Sequence, residues 1–330
     1  MTSTRPATAE AVDRHDSAAQ LEDFRAELTG YCYRMLGSGF EAEDAVQETM
    51  VRAWRGIKDF QRRAKLRTWL YRIATNVCID MLRGPQRRAR PMDMSASQTA
   101  DSALGAELPE QAWLGPIPDV KLPQQSSDPA ELAASRDTIR LAFVAALQYL
   151  PPRQRAVLVL REVLCWQAAE VAELLETSVA SVNSALQRAR ATLDAVTLDN
   201  AEPALDDRDA QRLLEQYVEA FERYDITKLV SLLHEEVRFC MPPYALWLRG
   251  PLEVSKWLLG QGIGCRGSRL VATSANGGAA FGSYRPDPDG GHTPFSLIVL
   301  EFSGGRIVGW HNFLGPALFT EFGLPTHLEY

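Results

Sequence analysis

The chain is short of the residues from which small secreted or metal-built proteins are made. Its five cysteines, Cys32, Cys78, Cys165, Cys240 and Cys265, are odd in number and widely spaced over 330 residues, and no Cys-x-x-Cys occurs. That spacing argues against a disulfide framework or a zinc ribbon and favours thiols buried in a protein of the reducing cytoplasm. The five histidines (His15, His234, His292, His311, His327) are scattered without ligand spacing, so neither a metal nor a cofactor is expected. No stretch is apolar for long enough to span a bilayer. Residues 1–20 are polar and Ala/Thr-rich, lack the apolar segment of a signal peptide, and read as a disordered tail. Residues 330 in number with 46% hydrophobic content suffice for two or three ordinary cores.

Charge is distributed more tellingly than its sum of -7 suggests. Arg52 to Arg90 holds twelve Lys/Arg against two acids, whereas Leu21 to Met50 holds seven acids against two Arg. A single polyanionic partner would account only for the basic half. In the acidic half, the helix predicted over Glu41 to Trp54 buries Ala42, Ala45, Val46, Thr49, Met50, Ala53 and Trp54. It leaves Glu41, Asp44, Gln47, Glu48 and Arg52 free for a basic protein partner. In the basic half, Leu66, Trp69, Leu70, Ile73, Ala74, Val77, Cys78, Met81 and Leu82 recur at helical spacing and form a stripe that must be buried. The remaining positions, Arg67, Thr68, Tyr71, Arg72, Thr75, Asn76 and Arg83, combine cations, amide and ring in the way a nucleic-acid backbone and unstacked bases require.

Farther along, Leu150-Pro151-Pro152 places proline in the first turn of a helix, where its missing N–H costs nothing. A short helix Gln167 to Leu175, a turn at Glu176-Thr177-Ser178 and a longer helix to about Val196 follow, a spacing that fits a helix-turn-helix. Val182, Leu186, Ala189 and Leu193 face inward, and Ser181, Asn183, Ser184, Gln187, Arg188 and Arg190 face outward, toward base edges and phosphates of a major groove.

These motifs, in this order, resemble the extracytoplasmic-function group of sigma-70 transcription initiation factors. Glu41-Ala42-Glu43-Asp44-Ala45-Val46-Gln47-Glu48-Thr49 resembles the region-two helix that grips the largest subunit of RNA polymerase, which implies core-polymerase binding by Glu41, Asp44, Gln47 and Glu48. Arg67-Thr68-Trp69-Leu70-Tyr71-Arg72-Ile73-Ala74-Thr75-Asn76 resembles the segment that melts and reads the minus-ten element. The resemblance implies that Arg62, Arg63, Lys65, Arg67, Tyr71, Arg72, Asn76, Arg83, Arg87 and Arg88 meet the melted non-template strand. Ser181 to Arg190 resembles the region-four recognition helix of the minus-thirty-five element. Asn183 and Ala185 stand where many relatives carry Lys and Arg, and Glu176 where a turn glycine is common, so weaker phosphate anchoring is expected there. Region two is expected over 21–90 and region four over 131–198, both all-α.

Residues 91–130 lack periodicity, contain Pro109, Pro116, Pro118, Pro123 and Pro129, and read as a linker. Within it, Trp113-Leu114-Gly115-Pro116-Ile117-Pro118 is an apolar island that resembles the linker motif of sigma factors with a C-terminal extension, implying a regulatory role for Trp113 and Leu114. Residues 206–330 supply that extension: two helices, then β-rich stretches at Val237 to Met241, Arg269 to Ala275, Ala279 to Tyr284, Phe295 to Phe302 and Arg306 to Leu314. With the Tyr217-x-x-Ala220-Phe221-x-x-Tyr224-Asp225 and Gly309-Trp310-His311-Asn312 segments, this order resembles the SnoaL-like branch of the α+β cone fold. Tyr217, Phe221, Trp247, Trp310 and His311 are the residues expected around its cavity, with Phe239 and Phe313 as further aromatics. Acid–base chemistry there would draw on Asp225, His234 or His311 with Tyr217, Tyr244 or Tyr284. No titratable pair is fixed by the sequence, and a lone strand histidine is more often hydrogen-bonded structure. Asn276-Gly277-Gly278 reads as a turn. The expectation is therefore a non-enzymatic, cytoplasmic initiation factor whose partners are core RNA polymerase and promoter DNA, duplex and melted, with a C-terminal domain acting in cis and open to a small-molecule ligand. The alternative is a cavity enzyme, or a ligand-sensing regulator, fused to DNA-binding modules.

Overall fold

The computed structural model describes residues 20–57, 60, 65–83, 88–123, 136–195 and 207–329. The chain divides into two compact units, one drawn from Met1–Pro85, Val120–Ile139 and Ala146–Thr197, the other from Gln86–Asp119, Arg140–Ala145 and Leu198–Tyr330. No helix among the described residues is long and apolar enough to cross a membrane.

The first unit is helical. Arg25–Leu36 ends where Gly37 turns left-handed at φ 74°, and Ser38 then caps Gly39–Gly56 by accepting from the Glu41 N–H at 3.4 Å. Leu28, Cys32, Met35, Ala42, Val46, Leu70, Ala74 and Cys78, all buried, form the core of these two helices and Leu66–Met81. Trp54 and Met81, expected inside, are 53% and 41% exposed. Each lies in its helix's last turn, past Ala53 and Cys78, the final buried positions. A second helical group follows the predicted boundaries closely: Pro152–Leu158, Ala168–Leu174 and Val179–Ala195. Glu176 adopts φ 51°, the left-handed turn position where glycine would be unstrained. Ser178 accepts from the Ser181 N–H at 3.1 Å and caps the last helix, whose buried residues are Val182, Leu186 and Ala189. Buried Arg155 ties the two groups by donating to the Met35 carbonyl of the first and to Gln148 Oε1 (2.6 Å) and the Leu150 carbonyl (3.1 Å) beside the second.

The second unit is α+β. Six strands, β1 Leu233–Cys240, β2 Trp247–Arg249, β3 Arg269–Ala275, β4 Gly278–Pro286, β5 His292–Ser303 and β6 Arg306–Leu314, form one sheet in the order β2-β1-β6-β5-β4-β3. Only β1 and β6 run parallel, so the late strand β6 inserts beside the first and closes the sheet around its long middle. Asn276 and Gly277, at φ 55° and 73°, make the two-residue turn between β3 and β4. One face of the sheet packs on the helices Asp207–Glu222, Ile226–Ser231 and Pro251–Leu259 through Tyr217, Phe221, Leu229, Phe239, Trp257, Phe281, Ile298, Leu300 and Trp310.

Residues 88–119, which take in much of the linker expected over 91–130 and the last three residues of the expected region two, are seated on this unit as a strap. It closes on itself where the Ala89 N–H reaches the Ala112 carbonyl (3.0 Å) and the Leu114 N–H the Ala89 carbonyl (3.2 Å). It joins the domain where Gln98 donates to the Trp247 carbonyl (2.9 Å) and Leu108 to that of Pro243 (3.0 Å). At its far end, Ile117 and Asn276 exchange two bonds (3.1 and 3.2 Å), and the Gly277 N–H donates to Asp119 at 2.8 Å. Pro109, Pro116 and Pro118 keep the second half of the strap from continuing as a helix, and the Gln98, Leu108 and Ile117 N–H groups pair with the domain.

Candidate nucleic-acid interface

Of the residues expected on the open face of Leu66–Met81, Lys65, Asn76 and Arg83 are exposed, with Arg83 paired to Asp80 at 3.0 Å. Thr68, Tyr71 and Thr75 are buried instead. Thr75 shares a hydrogen bond with the Tyr31 hydroxyl at 2.7 Å. Tyr71 is enclosed by Tyr31 (ring centroids 5.0 Å apart) and by Trp166 of the second helical group (4.9 Å), and its hydroxyl donates to Glu27 at 2.8 Å. Burial and the adjacent Glu27 carboxylate push that phenol well above its ordinary range, so it is a neutral donor. Tyr71 is therefore not a free base-stacking ring in this arrangement. The reason is the neighbouring helix group, which no period within residues 66–82 could report.

The same neighbour engages the two arginines. Arg67 pairs with Glu27 and lays its guanidinium over the Trp166 ring at 5.1 Å. Arg72 donates to the Glu173 carbonyl at 3.0 Å and lies 3.6 Å from the Glu176 carboxylate. Within this unit, then, the helix expected to read melted DNA is held against the start of the helix-turn-helix.

The recognition helix keeps its predicted face. Ser181, Asn183, Ser184, Gln187, Arg188 and Arg190 are all exposed on Val179–Ala195, and Arg190 pairs with Glu162 at 2.7 Å. On Gly39–Gly56, Asp44, Gln47 and Glu48 are exposed and Glu41 half-buried, with Glu48 bound to Arg52 at 2.6 Å. Exposed Val51 and Trp54 continue that acidic face. Arg62, Arg63 and Arg87 lie outside the described residues. Arg88, expected on DNA, is buried in the strap, where it donates to the Glu110 and Trp113 carbonyls, both at 2.7 Å. A buried guanidinium bound to two backbone carbonyls has no phosphate left to meet. Trp113 and Leu114 are buried too, with the indole N–H on the Leu108 carbonyl at 3.3 Å.

In the second unit, the expected cavity residues split between the two faces of the sheet. Tyr217, Phe221, Phe239 and Trp310 face the helices and pack ring on ring: Tyr217 lies 5.3 Å from Trp310, 5.8 Å from Phe221 and 5.7 Å from Phe281. These rings occupy the interior they were expected to line. Trp247 and His311 lie on the opposite face, since both register with Cys240, the neighbour of inward-facing Phe239. Trp247 donates its indole N–H to the strap's Ser95 carbonyl at 2.9 Å. The other acid–base candidates are dispersed. Asp225 caps Ile226–Ser231, His234 accepts from the Glu236 N–H, and Tyr244 and Tyr284 donate to Glu107 and to the Pro325 carbonyl. Sequence reasoning missed that His311 has partners at both ring nitrogens, Cys240 and Glu301. Their shared strand parity was the available signal.

Comparison with known proteins agrees with this architecture. Residues 21–88 match the family Sigma-70 region 2, and residues 140–193 match Sigma-70, region 4. The chain is 44% identical over 319 residues to the ECF RNA polymerase sigma factor SigG of Mycobacterium tuberculosis, covering 96% of this chain and 85% of SigG. It is 29% identical to SigJ of the same organism, over 92% of this chain and 93% of SigJ. SigW of Bacillus subtilis is 31% identical over 54% of this chain and 87% of its own length. The crystal structure of SigJ superposes with a TM-score of 0.61 at 24% identity, covering 93% of this chain and 99% of that one, which extends the likeness of fold through the α+β unit.

Proposed function

The chain belongs to the ECF RNA polymerase sigma factors of the sigma-70 family, and from that premise we propose how its parts divide the work. As a sigma factor it binds core RNA polymerase and directs initiation at promoter DNA. The acidic, partly apolar face of Gly39–Gly56, with Glu41, Asp44, Gln47 and Glu48, docks on the core enzyme. Lys65, Arg67, Arg72, Asn76 and Arg83 meet the melted minus-ten strand, together with Arg62, Arg63 and Arg87. Gln187, Arg188 and their exposed neighbours on the recognition helix read the minus-thirty-five duplex. The α+β unit performs no catalysis. It regulates in cis, in the cytoplasm where polymerase works.

The observation that carries the cis reading is the strap. The chain that joins the two DNA-reading modules is itself hydrogen-bonded into the α+β unit over residues 88–119. Whatever holds or frees the strap changes the length of free chain between the modules, and with it the effective concentration of one for the other. The test is in vitro transcription with core enzyme, comparing the full chain with Asn276→Gly, which removes the side-chain oxygen that accepts from the Ile117 N–H and still suits the left-handed turn. A changed output, together with a changed distance between labels on the two modules, supports the reading. Unchanged output with a strap shown to be detached by proteolysis removes it.

A further inference from the structure

The outer face of the sheet carries a polar cluster that neither promoter recognition nor polymerase docking uses. Strand parity builds it. Phe239, Leu300 and Trp310 point to the aromatic interior, so Cys240, Glu301 and His311 point the other way, and the register sets Cys240 beside His311 and Gly309 beside Glu301. Cys240 Sγ lies 3.2 Å from His311 Nδ1, and His311 Nε2 lies 3.0 Å from Glu301 Oε2. A Cβ on residue 309 would stand 2.6 Å from that Glu301 oxygen and 2.8 Å from His311 Nε2, so glycine is what leaves room for the pair. Each ring nitrogen faces a different partner. The three groups therefore form a relay and do not converge on a point as metal ligands would, and no metal-binding cluster occurs among the described residues.

The charges around the relay act on its imidazole and its carboxylate. Arg90 of the strap and Arg238 of β1 act on Glu301, and Glu301 and Cys240 act on His311. Burial by itself would raise the Glu301 carboxyl and lower the imidazole. The His311 charge, with the two arginines, instead holds the carboxyl at about 2, and Cys240 and Glu301 hold the imidazole up at about 10. Cys78 is also buried, but its sulfur neighbour is Cys32, and burial pushes that thiol well above the ordinary range.

We propose that Cys240, His311 and Glu301 form a hydroperoxide-reactive thiol centre, in which His311 accepts the thiol proton and Glu301 fixes the ring that accepts it. The thiolate sulfur attacks one oxygen of hydrogen peroxide, forming the S–O bond as the O–O bond breaks. The departing hydroxide takes the proton from the imidazolium and leaves as water. Thiol and peroxide thus become sulfenic acid and water, with sulfur oxidised and peroxide reduced. Cys240 is 1% exposed and the Glu301 side chain 16%, so the cluster reaches solvent only at its carboxylate edge, which selects for an oxidant about the size of water. The added oxygen must be housed beside Trp247, the residue whose indole holds the strap at Ser95. Oxidation therefore bears on the contact that tethers the connecting chain.

The experiment uses the full chain. After limited exposure to hydrogen peroxide and a catalase quench, the protein is unfolded in dimedone, and adducts at Cys240, Cys32, Cys78 and Cys165 are quantified by mass spectrometry between pH 6 and 8. Cys240 is expected to oxidise about tenfold faster or more than the equally buried Cys32 and Cys78, because His311 stands 3.2 Å away to take its proton, and at a rate nearly flat with pH because the imidazole, raised to about 10, keeps its charge throughout that range. In His311→Gln the Cys240 rate should fall about tenfold and climb with pH, since the charged imidazole is gone. Should the variant not fold by circular dichroism, the flat wild-type profile and the ratio to Cys32 and Cys78 still decide. A Cys240 rate no greater than theirs, or one that rises with pH in the wild type, overturns the proposal and leaves the cluster a structural ion pair.

Discussion

Replacing Trp166 with alanine should make this sigma factor bind melted promoter DNA more tightly. Trp166 is 5% exposed because Tyr71 covers one side of it, with ring centroids 4.9 Å apart, and the Arg67 guanidinium lies 5.1 Å over its ring. A tilted aromatic pair contributes about 0.5–1.5 kcal/mol. A cation over a ring at a half-exposed position adds about 0.5–1 kcal/mol. Together they favour the closed arrangement of the two modules by roughly 1–2.5 kcal/mol, a factor of about 5 to 70. Because the closed form occupies Arg67, Tyr71 and Arg72, opening should raise apparent affinity for a single-stranded minus-ten oligonucleotide by up to that factor, in full only where the closed form predominates. Fluorescence anisotropy with the labelled oligonucleotide reads the change, and binding of the upstream duplex confirms that the recognition helix is still folded. Trp166→Phe, which keeps a ring against Tyr71, should show a smaller gain. An alanine variant with intact duplex binding and no gain in single-strand affinity would refute the reasoning.

Charge reversal at Asp44 and Glu48, both exposed and off the apolar stripe, should weaken capture of core polymerase at least several-fold without changing the circular dichroism spectrum. Gly309→Ala puts a Cβ 2.6 Å from the Glu301 carboxylate oxygen and 2.8 Å from His311 Nε2, so one of these side chains must shift, costing about 1–3 kcal/mol in denaturant unfolding of the α+β unit. Gly278→Ala, whose nearest heavy atoms lie at 3.7 Å, should change stability by less than about 0.5 kcal/mol. The His311–Glu301 pair also sets a pH dependence. The raised imidazole contributes stability that is complete below its ordinary 6.5 and is lost as pH climbs through about 10; the depressed carboxyl contributes above its ordinary 4.5 and is lost as pH falls through about 2. The unfolding midpoint of the α+β unit should be highest between those ordinary values and decline on the alkaline side, and His311→Gln should flatten that decline.

Patterns that lie within one helix were legible in the sequence. The turn at Glu176, the buried set Val182, Leu186 and Ala189, and the exposed acids Asp44 and Glu48 all follow from local spacing, and the structure has them as read. What escaped was contact between segments far apart in the chain. Tyr71 sits on the polar side of its own helix, and only a tryptophan 95 positions later makes that side an interior. Arg88 belongs to a basic run that looks continuous with the DNA face, yet its donors close a loop in the strap. The proline-rich stretch read as a tether because a strap bound by backbone hydrogen bonds needs no periodicity of its own. Trp247 and His311 were placed with the cone aromatics by composition. Parity along β1 and β6, counted from Phe239 and Trp310, would have put them on the other face.

The strap and its sheet are also separated in time. Ile117 meets Asn276 across 159 residues, which at about 5–20 residues per second is an interval of roughly 8 to 30 s on the ribosome. The recognition helix ends at Ala195, so both DNA-reading modules are synthesised before any strand that could seat the strap. During that interval Trp113, Leu114 and Ile117, all buried in the finished protein, have no sheet to cover them. Each new molecule passes through an unstrapped youth, and the cis restraint proposed above would be a property the chain acquires last.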